Sequence, residues 1–188
     1  MKKKFLSVSI LMIMLSSAFM MQSCDKVADL VAFNVDKTLP TQHFDLDSAS
    51  TIKGETMLYE SFFDINLDSI LAANGVDKGT ISEGKFKEII LSINNPSSKM
   101  QFGFVSSLTF VLSETEGFEA PKTFATASDI QPGDVKATFV VNNEVMDHYL
   151  EISKFYYRIY GTQISPVPVV TLPLILESKV GFTVKPLK

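Results

Sequence analysis

The sequence is poor in the residue types that enzymes and metal sites use. Its 188 residues include one cysteine, two histidines and no tryptophan. A secreted chain with one cysteine forms no internal disulfide. The motifs G-x-S-x-G, G-x-x-x-x-G-K-[ST], H-E-x-x-H and C-x-x-C are also missing from the sequence, so no known nucleophile, phosphate loop or zinc helix is recognisable. We therefore predict a non-enzymatic chain without a catalytic, cofactor-binding or metal site.

The cysteine stands at the end of the most apolar segment of the chain. Lys2–Lys4 form a positive start, Phe5–Met21 is almost wholly apolar, and Ser23 and Cys24 follow at once. This layout is typical of a secretory signal peptide. The apolar run is slightly short of the roughly 20 residues that a transmembrane helix needs. An uncleaved anchor and a plain secretory signal are the alternatives.

Ser23-Cys24 resembles the lipobox of bacterial lipoproteins, although Met21 and Gln22 depart from its usual Leu and small residue. The resemblance implies that Cys24 carries diacylglycerol through a thioether and becomes the first residue of the mature protein. It predicts a signal peptide over 1–23, a lipidated Cys and short tether over 24–30, and one domain over 31–188. Two or three acyl chains hold a protein on a membrane almost permanently.

The resemblance also predicts a location. We expect a lipid-anchored protein of a Gram-negative cell envelope, in the outer membrane, with its periplasmic or surface face left open. Asp25, directly after the cysteine, affects sorting in lipoproteins, with a meaning that differs between bacterial groups.

Basic residues are scarce in the predicted mature chain. Removal of Lys2–Lys4 leaves 14 basic against 21 acidic side chains, a net charge of about −7. Binding to nucleic acid needs clustered lysine and arginine, and anionic lipid surfaces repel an acidic body. We therefore predict no nucleic-acid partner, and membrane contact through the lipid on Cys24.

Alternating apolar and polar residues dominate the chain after the signal, which indicates β-strands. Strands are predicted around 31–39, 57–65, 89–93, 108–112, 122–127, 136–141, 155–162 and 169–184. Pro173 and Gly181 within the last run predict a bulge, an edge or a division into two strands. The pattern favours an all-β, antiparallel β-sandwich of immunoglobulin-like type, with a partly closed barrel as the alternative.

Two short helices are expected to interrupt the strands. Leu67, Ile70 and Leu71 have helical spacing, with Asn66 placed to cap the start and Asn74-Gly75 to end the helix. The second helix is predicted from the same spacing, at Val145, Met146, Tyr149 and Leu150. Each directly follows a strand, as a crossover helix at the end of a sandwich does.

The best candidate binding site lies on the predicted strand 155–162. Alternation places Tyr156, Arg158 and Tyr160 on one face and the apolar residues between them on the core side. Two aromatic rings beside a guanidinium can stack on a sugar or on a partner's side chain. The alternative is an aromatic ladder that only stabilises the sheet.

Two other groups of polar residues are candidate sites. Asp45 and Asp47, next to His43, would share one face of a strand and could hold a hard cation, but the further ligands of a calcium loop are missing. A solvated acidic loop is the favoured interpretation. Asp147 and His148 are neighbours that do not face each other on a helix, which favours a surface or capping role.

The segment Ile89–Ser97 is similar to the strand-Asn-Pro turn of late-embryogenesis-abundant proteins of the LEA-14 type. Tyr160-Gly161 and Thr171–Leu174 continue the likeness. It implies an immunoglobulin-like sandwich and no catalytic residues. More broadly, the chain resembles small Gram-negative lipoproteins built on such sandwiches.

Together these features predict a lipid-anchored, non-enzymatic module that binds an envelope or surface protein or has a structural role. Loops at the end of the sandwich, at Asn95–Gln101 and Gln163–Pro168, are expected to carry recognition. The alternative is a surface glycan-binding lipoprotein that uses Tyr156, Arg158 and Tyr160.

Overall fold

The computed structural model describes residues 32–48, 54–76, 79–143, 149 and 154–186. Within these ranges the chain forms ten strands and one helix. The elements are β1 (Phe33–Thr38), β2 (Gln42–Asp47), β3 (Gly54–Asp64), α1 (Leu67–Ala73), β4 (Gly79–Ile93), β5 (Val105–Ser113), β6 (Lys122–Ala127), β7 (Lys136–Thr138), β8 (Val140–Val141), β9 (Lys154–Gln163) and β10 (Thr171–Pro186).

The strands form two antiparallel sheets, which confirms the predicted all-β sandwich. The first sheet has the order β1-β10-β4-β7, with β2 also paired to β10, and the second has the order β3-β9-β5-β6-β8. Alternate residues of each strand point between the sheets because side chains change face at every residue. The core between them is rich in aromatic rings, among them the fully buried Phe86, Phe110, Phe124 and Phe155.

β1 and β2 are two parts of one edge strand. β1 pairs with Lys179–Val184 of β10, and β2 pairs with Thr171–Leu176 of the same strand. Pro40 lies in the interruption between them; proline has no N–H to donate and is tolerated at a sheet edge. The prediction of a solvated loop around Asp45 and Asp47 is therefore wrong, because both residues belong to β2, where their side chains are exposed.

The predicted strand 136–141 is divided between the two sheets. β7 pairs with β4 in the first sheet, whereas β8 pairs with β6 in the second. Phe139 lies between them, is buried, and donates its backbone N–H to the carbonyl of Ile89. The chain thus passes from one sheet to the other and covers this side of the core.

α1 connects the second sheet to the first at one end of the sandwich. Asn66 caps its start by accepting a hydrogen bond from the Ser69 N–H at 2.8 Å, and Asn74 caps its end. Ile70 is buried against the core. This crossover helix confirms the prediction for 67–73. The second predicted helix lies outside the described residues, except for the buried Tyr149.

β10 contains the predicted bulge. Its register with β4 shifts between Lys179 and Val180 and again between Gly181 and Thr183. A side chain at Gly181 would collide with the stem of Lys87, which crosses β10 there to reach Asp36 at 2.5 Å. That hydrogen bond holds the pKa of Asp36 below its ordinary value. The glycine therefore allows an ion pair between β4 and β1, which are not neighbours.

Replacing Tyr157 by phenylalanine is expected to leave the free energy of unfolding at neutral pH unchanged or to raise it by about 1 kcal/mol. Tyr157 is fully buried, and its Oη makes no hydrogen bond of good geometry within the described part of the chain, although Ser61 lies opposite it on β3. A buried hydroxyl without a partner costs free energy. Urea denaturation of both proteins at neutral pH measures the difference, and a clear loss of stability would show that the hydroxyl is bonded.

The same substitution is expected to change the response to alkali. Burial raises the pKa of Tyr157 in the folded chain, so folding favours the neutral phenol. The stability associated with this group is fully present below the unfolded pKa of about 10 and is lost as pH rises above it. Tyr157→Phe should therefore lose less stability than the unmodified chain between neutral pH and about pH 10.5. Equal losses would contradict this reasoning.

Candidate functional site

The outer side of the second sheet carries the residues predicted as a binding site. β9 lies between β3 and β5, with Tyr156, Arg158 and Tyr160 facing outward and half-buried. Phe155 and Ile159 face the core and are fully buried. The predicted division of this strand into an inner and an outer face is confirmed.

Arg158 is held by two neighbours that are distant in sequence. Its Nε donates to Glu60 Oε2 on β3 at 2.5 Å, and its guanidinium lies 3.8 Å from the ring centroid of Phe118. The hydrogen bond to Glu60 is the main cause that raises the pKa of Arg158. The guanidinium therefore already has a counter-ion and a stacking partner within the chain, as expected for a residue that stabilises the sheet.

Tyr156 belongs to a separate aromatic cluster with Phe62 and Lys154. The ring centroids of Tyr156 and Phe62 are 6.3 Å apart at an interplanar angle of 59°. Lys154 Nζ lies 4.3 Å from the Phe62 centroid and 5.1 Å from that of Tyr156. Phe62 is 46% exposed, so the cluster presents aromatic surface and a positive charge to solvent.

Tyr160 lies apart from this cluster. In register it is opposite Met57 of β3, which is 48% exposed, and Thr109 of β5. The Glu60–Arg158 ion pair occupies the row of the sheet between Tyr160 and Tyr156. The three predicted residues thus share one face, but the two tyrosines are separated by an ion pair. The sequence pattern did not single out Phe62 or Lys154. Because adjacent residues of a strand point to opposite faces, the pair Phe62-Phe63 could have indicated that one of the two rings is exposed.

Replacing Arg158 by lysine is expected to lower the free energy of unfolding by about 0.5–1 kcal/mol, although the charge is kept. Lysine lacks the planar group that both stacks on Phe118 and bonds Glu60. Urea denaturation of Arg158→Lys, Phe118→Leu and the double variant measures the coupling. The account predicts a double-variant loss smaller than the sum of the two single losses; strict additivity would contradict the stacking role.

The loops predicted to carry recognition meet at one end of the sandwich. Ile164 N–H and Ser165 N–H both donate to the carbonyl of Phe104, and Phe102 N–H donates to Asp134 of a third loop at 2.7 Å. A pocket of about 180 Å³ opens between the loops. Its lining residues are Lys99, Gln101, Gly103, Phe104, Ser165, Pro166 and Pro168. We call this loop cluster, residues 94–104, 128–135 and 164–170, the distal end.

The distal end exposes apolar side chains and lies opposite the start of the domain. Ile164 is 54% exposed and Val170 is 80% exposed. Val170 immediately precedes β10, whereas Phe33 pairs with Val184 near the other end of that strand. From Val170 to Val184, the partner of Phe33, the chain advances fourteen residues, which places the two ends at most about 50 Å apart at roughly 3.3 Å per residue.

The other candidate groups do not converge. His43, Asp45 and Asp47 lie along β2 with exposed side chains, and Thr171 on β10 donates its hydroxyl to Asp47 at 3.2 Å. The ranges that the structure describes contain no group of three or more His, Cys, Asp or Glu side chains that could hold a metal ion. Asp147 and His148 lie outside those ranges. Within them, no helix has the length and apolar character to span a membrane.

No protein-family model matches the sequence, and no curated protein matches it. Among solved structures, the chain is similar to the decameric BFDV capsid protein, with 9% identity, 81% of this chain and 99% of that chain covered, and a TM-score of 0.41. It is also similar to Desmodium yellow mottle tymovirus, with 11% identity, coverages of 83% and 91%, and a TM-score of 0.23. For turnip yellow mosaic virus the identity is 14%, the coverages are 82% and 84%, and the TM-score is 0.24. Likenesses this distant do not bear on function.

Proposed function

We propose that this protein is a lipid-anchored, non-enzymatic lipoprotein of a Gram-negative cell envelope that binds a protein partner or holds an envelope assembly together. The observation that carries the proposal is the arrangement of the distal end. Its loops are bonded to one another, expose Ile164 and Val170, and lie at the opposite end of the sandwich from the start of β1, at most about 50 Å away. Rigid loops at the far end of a scaffold are suited to recognition.

The anchor in this proposal is diacylglycerol on Cys24, after removal of residues 1–23. The tether 25–30 spans at most about 20 Å at roughly 3.3–3.6 Å per residue. The domain would then stand close to the outer membrane, on its periplasmic or surface face, with the distal end directed away from the bilayer. Membership of the immunoglobulin-like sandwiches, including the LEA-14 type, is part of the same proposal and is favoured by the Asn94–Pro96 turn that follows β4.

Affinity purification of the full chain in mild detergent tests the binding role. We expect one or more envelope proteins to co-purify with the unmodified chain and to be lost with Val170→Asp. Thr80→Asp is the matched control, because Thr80 is exposed on β4 opposite Lys185, at the end of β10 that is remote from the distal end. A clean monomer in repeated purifications, or equal partner recovery with both variants, would contradict a binding role of the distal end.

Glycan binding at the surface is a second candidate function. It is favoured by the exposed ring of Phe62 and the half-buried ring of Tyr156, with Lys154 Nζ near both, since aromatic faces and a nearby cation can contact a sugar. The glycan site predicted from the sequence consists of Tyr156, Arg158 and Tyr160. A glycan array should then respond, and Tyr156→Ala plus Tyr160→Ala should abolish the response while Ile164→Ala retains it. Unchanged binding by the double variant would remove this site.

A further inference from the structure

Among the described residues, β3 is a long strand edge without a proline. The edges of the first sheet are β1/β2, broken at Pro40, the three-residue β7, and the part of β4 that β7 does not cover, residues 79–88. That part of β4 is interrupted by the left-handed backbone of Glu83 (φ 57°), and its Phe86 N–H already donates to Asn143. In the second sheet, β8 has two residues, whereas β3 has eleven and pairs only with β9. A long edge strand presents a row of N–H and C=O groups that can pair with another chain. β3 is therefore the edge best able to receive an additional strand.

The outward side chains of β3 form a regular series. In order they are Glu55, Met57, Glu60, Phe62 and Asp64, all of them exposed, and the irregularity between Met57 and Tyr59 keeps both halves of the strand on the same face. Glu60 is neutralised by Arg158. Neither Glu55 nor Asp64 forms an ion pair with a described residue. The free edge thus offers two apolar side chains with an unpaired carboxylate at each end.

The strand that already pairs with β3 shows which residues suit this series. Opposite Met57, Glu60, Phe62 and Asp64 stand Tyr160, Arg158, Tyr156 and Lys154 of β9. Aromatic side chains thus face the apolar positions of β3, and basic side chains face its acidic positions. Directly opposed side chains of antiparallel strands lie about 4.5–5.5 Å apart and interact, so a strand on the free side would meet the same requirements.

We propose that β3 binds an extended segment of a protein partner, which adds to the second sheet as a sixth strand. The segment would place apolar residues beside Met57 and Phe62 and basic residues beside Glu55 and Asp64. Main-chain hydrogen bonds supply affinity in this mode of recognition, and alternate side chains supply specificity. The surface does not involve the lipid on Cys24, and it runs along the side of the sandwich, with only its Glu55 end close to the distal end.

Charge favours such a partner over a second copy of this chain. Antiparallel pairing of β3 with itself would bring Glu55 of one copy towards Asp64 of the other, and like charges opposite each other are destabilising. The mature chain also carries a net charge of about −7, which opposes self-association. A basic, apolar segment meets neither obstacle.

The test measures binding of the full chain, in mild detergent, to the synthetic peptide Lys-Thr-Leu-Thr-Thr-Thr-Leu-Thr-Lys. We expect saturable binding that weakens about tenfold with Glu55→Lys plus Asp64→Lys. Glu88→Lys plus Glu177→Lys is the matched control, because both residues are exposed on the first sheet, and it should bind as the unmodified chain does. A peptide with Glu in place of Lys should not bind.

Isotope-edited infrared spectroscopy of a ¹³C-labelled peptide distinguishes strand addition from attraction between charges alone. The proposal predicts that the labelled carbonyls adopt the frequency of a paired β-strand when the peptide is bound. No binding, an irregular bound peptide, an equal loss with the control pair, or dimerisation of the chain through β3 would each overturn it. These outcomes are separate from the co-purification result with Val170→Asp, which addresses the distal end.

Discussion

Replacing Phe110 by alanine is expected to lower the free energy of unfolding by about 3–5 kcal/mol. Phe110 is fully buried at the centre of the core. Its ring centroid lies 4.9 Å from that of Tyr157, 5.8 Å from Phe139 and 6.1 Å from Phe124. Alanine would leave a cavity lined by rings from both the second sheet and the crossing at Phe139. Since domains of this size are stable by only about 5–15 kcal/mol, the variant should lose a large share of its stability and unfold at a clearly lower urea concentration.

Phe62→Ala is the matched control for this experiment. It removes the same side chain from the outer face of the same sheet, where Phe62 is 46% exposed. Its expected loss is about 1 kcal/mol or less, because half of the ring is already in water. Urea denaturation of the two variants measures the difference. Similar losses would show that the core does not lie between the two sheets as described.

Replacing Cys24 by alanine, in a chain whose residues 1–23 are exchanged for an ordinary cleavable secretory signal, is expected to transfer the protein from the membrane fraction to the soluble fraction. Each buried methylene of an acyl chain contributes about 0.8 kcal/mol, so loss of two or three chains removes nearly all membrane affinity. The acidic body offers no compensating attraction to anionic lipids. We expect the soluble share to rise about tenfold or more, measured by fractionation of cells that express the variant.

Ser23→Ala is the control for the cysteine variant, because it keeps a small residue before Cys24. It should remain in the membrane fraction as the unmodified chain does. If Cys24→Ala with the exchanged signal also stays there, a part of the chain other than the lipid on Cys24 holds the protein at the membrane.

Local alternation predicted most strands because one face of nearly every strand is buried. β6 was predicted over its full length, and β9 to within one residue at each end. β2 was missed because Pro40 precedes it and only Phe44 and Leu46 provide apolar residues in a polar segment. The transfer of the chain between sheets at Phe139 was also missed, since alternation is the same whichever sheet a strand joins.

The candidate site could be predicted only in part, because local spacing shows which way a side chain faces but not which distant residues lie beside it. The outward facing of Tyr156, Arg158 and Tyr160 follows from their spacing within one strand. Glu60, which pairs with Arg158, is 98 residues away in sequence. Phe118, which stacks on Arg158, lies in the loop between β5 and β6. Which strand lies beside β9 is set by the packing of the whole sandwich, so the neutralisation of Arg158 could not be inferred from local pattern.

The mass of the amino-terminal fragment of the purified protein tests the central proposal of a lipid-anchored module most directly. The account predicts a chain that begins at Cys24, lacks residues 1–23, and carries the added mass of diacylglycerol and any further acyl chain on that residue. A fragment that retains Met1, or one that carries Cys24 as an unmodified thiol, would contradict it.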